Sequence, residues 1–180
     1  MRLRTLCVLA LLMTSAYAET PRQFAGRQWS IDVPAGYTAA DARPDETMIT
    51  TAFTPAPRAD GTRPLVQVTL IDLRRSSGSP ELVAKFAEAM IAGVQRRREE
   101  WQVEKTTDRV GSLGVTRYAW SGVTIPAADG AAQRVKARGV MLVGVDGGVG
   151  FVLHTQDVDV HAMETLPPNE KVLRTFRFDS

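Results

Sequence analysis

Two histidines and two aspartates lie close together near the end of the chain and have the side-chain chemistry of metal ligands. His154, Asp157, Asp159 and His161 form the pattern His-x-x-Asp-x-Asp-x-His, and the chain contains no other histidine. If residues 157–161 are extended, strand alternation places the last three ligands on one side. Imidazole with carboxylate suits zinc, copper or manganese. The pattern supports a second hypothesis, a metal-binding protein or a metal-dependent hydrolase, beside the simpler interpretation of a solvated loop that leaves a strand.

Other patterns that could carry chemistry have simpler interpretations. The glycine-rich stretch 144–150 is followed by an apolar strand, whereas a phosphate-binding loop must lead into a helix. The Gly-Ser-Leu-Gly sequence around Ser112 lacks the spacing of a nucleophile elbow. We therefore assign no catalytic residue and no cofactor, and we expect a protein that is not an enzyme.

The charge balance argues against a nucleic-acid partner. The chain has 22 basic and 20 acidic residues. Two of the basic residues, Arg2 and Arg4, lie in the N-terminal segment that we expect to be cleaved, and without them the basic and acidic residues are equal in number. Nucleic-acid-binding proteins normally have a clear basic excess. The basic groups at 96–98 and 134–138 are therefore interpreted as solvated faces, because Glu99 follows the first group directly.

The N-terminus has the organisation of a secretory signal peptide. Arg2 and Arg4 precede an unbroken apolar run of eight residues, 6–13, and the small residues Ala16 and Ala18 stand where signal peptidase reads the chain. A membrane-spanning helix needs about 20 apolar residues, so this run is too short to span a bilayer. We expect a signal peptide over residues 1–18, cleavage after Ala18, a periplasmic or secreted protein, and no membrane span in the mature chain.

Three strands are predicted before the middle of the chain. Trp29, Ile31 and Val33 alternate with polar residues, which predicts a strand with one buried face. The Thr-rich run 47–53 and the apolar run 65–73 predict two more strands. We expect these first three strands to form a meander.

A long amphipathic helix is the clearest single element. Ser79 can cap it, and Pro80 suits the first helical position because its missing N–H has no helical partner there. Phe86, Met90 and Val94 then recur at four-residue steps, as a single buried stripe requires. The spacing predicts a helix that packs on a sheet by one face.

Four further strands are predicted after this helix. An Asp146-Gly147 pair joins the last two and predicts a tight hairpin, because both central residues of such a turn need positive φ. The run 140–143 is apolar on both faces, which predicts an interior strand covered on both sides. The four predicted strands are 101–107, 114–122, 133–145 and 149–156.

The end of the chain completes the predicted architecture. After two prolines, Asn169 can cap a short helix that ends near Arg174, and Phe176 and Phe178 fit a last short strand. The order of elements predicts a single α+β domain over residues 19–180, with an antiparallel sheet of seven to eight strands flanked by one long helix and a short C-terminal helix.

Three of these features together resemble the PsbP-like α/β-sandwich family, which includes the PsbP subunit, Mog-type and DcrB-type proteins. They are the opening Trp-Ser-Ile-Asp-Val-Pro-Ala-Gly-Tyr at 29–37, the mid-chain helix followed by four antiparallel strands, and the closing Val-Leu-Arg-Thr-Phe at 172–176. The resemblance implies an α/β/α sandwich and a non-catalytic accessory, adaptor or binding role. We therefore expect a protein or envelope-component partner.

Overall fold

The computed structural model describes residues 17–19, 21–42, 47–74, 80–125 and 134–179, and these ranges contain twelve strands and two helices. In chain order the elements are β1 (Tyr17–Glu19), β2 (Arg22–Phe24), β3 (Arg27–Ser30), β4 (Asp32–Pro34), β5 (Thr38–Ala42), β6 (Met48–Thr54), β7 (Leu65–Asp72), α1 (Pro80–Gln95), β8 (Arg98–Val110), β9 (Leu113–Thr124), β10 (Lys136–Asp146), β11 (Val149–Val158), α2 (Asp159–Leu173) and β12 (Arg177–Phe178).

One seven-stranded sheet dominates the fold. Its strand order is β5-β6-β7-β11-β10-β9-β8, and all neighbouring strands are antiparallel. A second small sheet has the order β12-β3-β2, and β1 pairs with β4. The predicted α+β class and the predicted size of the sheet are confirmed.

The first helix covers one face of the large sheet by its apolar stripe. Phe86, Met90 and Val94 pack against buried residues of β9, β10 and β11, and Ala87 of the same helix is buried. The predicted long helix and its buried stripe are confirmed, while the predicted cap Ser79 lies outside the described residues. The sheet side chains under α1 are Tyr118, Met141, Val143 and Val152.

The other face of the sheet packs against α2 and the small sheet, and it holds the larger core. Trp29 and Ile31 are fully buried there, and Phe151, Phe176 and Phe178 form a cluster of ring contacts around them. Successive side chains of β10 point to opposite faces, so its apolar run is buried on both. The interior position predicted for residues 140–143 is confirmed.

The N-terminal strands differ from the prediction. The expected strand through Trp29 and Val33 is divided at Ile31 into β3 and β4, which lie in the smaller sheets. The meander of the large sheet is β5-β6-β7 instead, so the predicted first member was wrong. Strand β5 escaped prediction because all five of its residues are exposed, and Thr-Ala-Ala-Asp-Ala shows no apolar alternation.

The hairpin between β10 and β11 is confirmed, with its turn one residue further along than predicted. Asp146 pairs with Val149 as the last rung of the ladder, so the two central residues are Gly147 and Gly148. Their φ angles are 53° and 80°. Both lie in the left-handed region that a two-residue hairpin turn of this kind requires, which explains the pair of glycines.

The C-terminal helix is longer than predicted. It has 15 residues and contains Pro167 and Pro168, so the expectation that Asn169 caps a short helix was wrong. Asn169 is buried inside the helix instead. The prolines remove the hydrogen bonds to the carbonyls of Met163 and Glu164, but all four residues are exposed, so water can solvate those carbonyls. Burial of the opposite face of α2 stabilises the helix by more than the missing hydrogen bonds destabilise it.

The predicted signal peptide lies almost entirely outside the described residues. Only Tyr17 and Ala18 are described, as the first two residues of β1, where they pair with Pro34 and Val33. Within the described ranges, neither helix is long and apolar enough to cross a membrane.

Candidate functional site

The four predicted metal ligands do not lie on one extended segment. Strand β11 ends at Val158, and α2 begins at Asp159 with its carboxylate in the first turn, where the helix dipole favours negative charge. Residues 157–161 are therefore not one extended segment, so strand alternation does not place the last three ligands on one side. Because side chains alternate along β11, His154 and Asp157 also lie on opposite faces of the sheet.

His154 is buried on the α1 face of the sheet. Its side chain is packed beside the ring of Trp120, with 5.8 Å between the ring centroids, and the residue is only 6% exposed. Its Nε2 atom is buried and has no hydrogen-bond partner among the described residues. Burial, and secondarily the charge of Arg98, lower the pKa of His154 to about 3, so its imidazole is neutral at neutral pH.

Asp157 is buried on the α2 face and belongs to an ion pair. Its carboxylate accepts hydrogen bonds from the Arg58 guanidinium at 2.6 and 3.0 Å, from the Thr165 hydroxyl at 2.7 Å and from the backbone N–H of Val158 at 2.8 Å. Burial raises the pKa of Asp157, but these hydrogen bonds outweigh burial and hold the pKa below its usual value. The pair joins the β6–β7 loop to the end of β11, and the Thr165 hydroxyl links Asp157 to α2.

Asp159 and His161 have other partners. Asp159 forms an ion pair with Arg138 and lies 3.8 Å from the Lys136 ammonium group. His161 Nε2 lies 2.9 Å from Oδ2 of Asp60, and this hydrogen bond is the main cause of the lowered pKa of Asp60. Each of the four predicted ligands therefore contacts different partner residues.

No group of three or more His, Cys, Asp or Glu side chains is placed to hold a metal ion within the described part of the chain. The cations beside two of the predicted ligands, Arg58 at Asp157 and Arg138 at Asp159, would repel a divalent ion. Metal binding stays a prediction, and elemental analysis tests it.

An open groove of about 600 Å³ lies between α2 and strands β8, β9 and β10. Helix α2 packs over β10 and β11, and it leaves the adjoining part of β9 and β8 uncovered. We call this the α2 groove and define it by its apolar lining, which comprises Ala119 and Val140 from the sheet and Ala162, Met163, Leu166 and Pro167 from the helix.

Large apolar side chains reach solvent beside the groove. Met163 is 77% exposed and Val160, one turn earlier in α2, is 80% exposed. Scattered surface apolar residues are common in folded proteins, but here two adjoin a concave apolar lining. The arrangement has the chemistry of a docking surface.

A charged rim fixes the shape of the groove. The Arg117 guanidinium donates to the two carboxylate oxygens of Glu170 at 2.9 and 3.1 Å, which ties α2 to β9. This bidentate contact is the main cause that lowers the pKa of Glu170. Arg174 adds a 2.6 Å contact to Asp108 at the end of β8. The helix wall is therefore held to the sheet by paired charges.

A second cavity, of about 430 Å³, lies on the opposite face of the sheet beside α1. We call it the α1 cleft and define it by six of its lining residues, which are Met90, Gly93, Arg98, Met141, His154 and Gln156. Of the predicted ligands, only His154 belongs to this cleft.

Sequence reasoning missed both cavities, although one signal for the α1 cleft was present. Gly139 interrupts an otherwise apolar strand, and a Cβ there would lie 2.4 Å from Cζ2 of Trp120. The glycine lets the Trp120 ring lie across β10 and reach His154. Gly139 and Trp120 also line the α2 groove, but the groove itself depends on how far α2 extends across the sheet.

No family model matches the chain, and no curated protein matches it. Among solved structures, LpqN, which is involved in cell envelope biogenesis of Mycobacterium tuberculosis, aligns with a TM-score of 0.56 and 15% identity over 91% of this chain and 92% of LpqN. PA94 of Pseudomonas aeruginosa aligns with a TM-score of 0.50 and 7% identity over 87% of this chain and 94% of PA94. The Saccharomyces cerevisiae Ran-binding protein Mog1p aligns with a TM-score of 0.46 and 14% identity over 90% and 96% of the two chains. At these identities, LpqN and PA94 share the fold of this chain, an α+β sandwich.

Proposed function

We propose that this chain is a periplasmic or secreted accessory protein, without catalytic activity, that binds a segment of a partner protein in the α2 groove. The observation that carries the proposal is the apolar lining of the groove beside the exposed side chains of Met163 and Val160. Methionine is enriched at protein interfaces, and its flexible side chain adapts to different partners.

The rim supports a protein segment as the occupant. Gln102 and Glu104 of β8 line one side of the groove and are exposed, and Arg138 lines it from β10. An apolar centre with a polar rim is the usual anatomy of a protein interface, and the rim groups can hydrogen-bond a peptide backbone. A lipid chain would make no hydrogen bonds with these rim groups.

The setting of the proposal is the cell envelope. The signal-peptide pattern supports export, and the shared fold with LpqN, a protein of cell envelope biogenesis, is in keeping with a role there. Fold alone does not define function, so the proposal rests on the groove. We also propose membership of the PsbP-like family, on the sequence features at residues 29–37 and 172–176.

Export is tested by fractionation of the producing cells, followed by N-terminal sequencing. We expect the mature protein in the periplasm or medium and its N-terminus at Glu19. Cleavage there removes Tyr17 and Ala18, two of the three residues of β1, so the mature protein lacks the pairing of β1 with β4. Recovery of the protein with its first residues intact contradicts export by cleavage.

Docking is tested by placing a photo-crosslinking amino acid at Met163 in the producing cells. The matched control site is Lys85 on α1, whose side chain is 70% exposed and lies on the other face of the sheet. We expect a discrete protein adduct from position 163 and none from position 85. Identical adducts from both positions, or none from either, would contradict docking in the groove.

A further inference from the structure

The α1 cleft contains a buried imidazole whose Nε2 atom has no hydrogen-bond partner within the described ranges. His154 is flanked on its own face of the sheet by Gln67 of β7 and Met141 of β10, its partners in register. Its Nε2 atom has no hydrogen-bond partner among the described residues, although the side chain lines the cavity. A buried polar atom left unpaired costs free energy that a ligand with a complementary group restores.

A half-buried cation that contacts no carboxylate among the described residues lies beside this imidazole. The Arg98 guanidinium donates to the backbone oxygen of Val94 and to Oε1 of Gln156, both at 2.8 Å, and neither acceptor is charged. The Nε atom of Arg98 is buried without a partner within the described ranges. By contrast, the partly buried Arg58 and Arg117 each contact a carboxylate.

The indole of Trp120 holds these two groups in place. The Arg98 guanidinium lies 4.1 Å from the centre of the Trp120 ring, a cation–π distance, and Trp101 stacks on the same indole at 5.5 Å. The same ring contacts His154. Arg98 and His154 are therefore positioned by one aromatic platform, which itself depends on the missing side chain at Gly139.

The charge around the cleft has one sign. Its described lining includes Arg97 and Arg98 and contains no aspartate or glutamate. A guanidinium taken out of water without a counter-charge is unfavourable, and an anion at this position would offset that penalty. The remaining lining is mostly apolar, with Met90, Val94 and Met141 next to the cation.

We propose that the α1 cleft binds an amphiphilic carboxylate, with the carboxylate on Arg98 and His154 and the apolar chain against Met90, Val94 and Met141. The guanidinium donates charge-assisted hydrogen bonds to the carboxylate, and the neutral imidazole donates one more from Nε2. A cavity of about 430 Å³ is within the range of small-molecule sites. The site is separate from the α2 groove, which lies on the other face of the sheet.

The test is calorimetric titration of the mature protein with decanoate, below its micellar concentration and at fixed ionic strength. Decan-1-ol, which has the same chain without the charge, and acetate, which has the charge without the chain, are the ligand controls. We expect one-site binding of decanoate, at least about 10-fold tighter than binding of either control, because a charged hydrogen-bonded contact and the burial of a chain each contribute that much.

Two pairs of variants locate the site. Arg98→Gln removes the cation, and Arg96→Gln is its control, because Arg96 is exposed in the same basic run and does not line the cleft. Gly93→Phe fills the cleft from α1, and Gly93→Ala is its control. A Cβ at Gly93 meets no atom within 4 Å, and both replacements are better helix formers than glycine. Circular dichroism checks that each variant is folded.

We expect Arg98→Gln to weaken decanoate binding about 10- to 100-fold and Gly93→Phe to abolish it, with both controls within about twofold of the wild type. No one-site binding of decanoate to the wild type, equal binding of decan-1-ol, or equal binding by the two Gly93 variants would overturn the proposal. If Arg98→Gln does not fold, the Gly93 pair decides. Crosslinking from Met163 is unaffected by any of these results, so the two proposals fail separately.

Discussion

Replacement of Asp157 by asparagine removes the charge of a buried carboxylate that accepts four hydrogen bonds. The side chain of Asp157 has no exposed surface and accepts four hydrogen bonds, two of them from the Arg58 guanidinium. Asparagine keeps the shape, but its NH₂ group must face one of these donors. The substitution therefore leaves Arg58 without its counter-charge and sets two donors against each other.

The expected loss of stability follows from the burial of the two partners. Removal of one partner of a buried ion pair typically costs about 3–5 kcal/mol. The Arg58 side chain is 25% exposed, so water partly solvates its guanidinium when the carboxylate is gone. We therefore expect Asp157→Asn to lower the free energy of unfolding by about 3 kcal/mol, at the lower end of that range.

The assay is urea unfolding at pH 7, followed by circular dichroism, on Asp157→Asn, Arg58→Met and the double variant. If the two residues act as a pair, the double variant loses clearly less than the two single variants combined. The matched control is Asp159→Asn, whose ion pair with the exposed Arg138 is worth less than about 1 kcal/mol. A loss for Asp157→Asn no larger than that of this control would refute the reasoning.

The same pair has a defined pH dependence. The pKa of Asp157 is lower in the folded protein than its usual value, because its hydrogen bonds outweigh burial. Its contribution is therefore fully present above the unfolded pKa and is lost as the pH falls through the folded pKa. We expect the stability difference between wild type and Asp157→Asn to shrink in acid.

Three further predictions concern other described residues. Gly139→Ala should destabilise the protein by about 1–3 kcal/mol in urea unfolding, since its Cβ would lie 2.4 Å from Cζ2 of Trp120, whereas Gly114→Ala in β9, with no atom within 4 Å of its Cβ, should not. Because burial and Arg98 lower the pKa of His154 to about 3, the unfolded state binds its proton first as the pH falls. His154→Phe should therefore reduce the fall in stability between about pH 6 and pH 4 by up to about 1.4 kcal/mol per pH unit. If the four predicted ligands bind a metal, purified untagged protein should contain about one equivalent of a transition metal that His161→Ala removes, and elemental analysis that finds no metal in either protein would contradict the site.

The elements predicted correctly are those whose signal is local. The stripe from Phe86 to Val94 fixes which face of α1 is buried, and the glycines after Asp146 fix the β10–β11 turn by their positive φ. Alternation along 29–33 correctly marked the buried side chains, although it could not assign them to a sheet. Sheet membership depends on pairing with distant strands, and a strand as exposed as β5 has no periodic signal at all.

The α2 groove and the surroundings of the predicted ligands were less predictable, because both depend on tertiary packing. Pro167 and Pro168 suggested a helix boundary. Packing of the buried face nevertheless stabilises α2 across both prolines, and this longer helix forms one wall of the groove. Likewise, the spacing of His154 and Asp157 suggested a common ligand set, but one belongs to each face of the sheet. Residue type and spacing identified polar residues of interest and could not identify their partners.

We expect the two proposed sites to act independently, because alternation along β10 places their lining residues on opposite faces, although Trp120, which contacts Arg98 and His154, also lines the α2 groove. Val140 lines the α2 groove, whereas Met141, the next residue, lines the α1 cleft on the opposite face. Gly93 lies on α1 and lines the cleft, whereas Met163 lies on α2 and lines the groove. Stability effects of Gly93→Phe and Met163→Glu should therefore add within about 0.5 kcal/mol, and saturating decanoate should leave the crosslink from position 163 unchanged. A decanoate-dependent crosslink would mean that β10 shifts when the cleft fills and that the sheet couples its two faces.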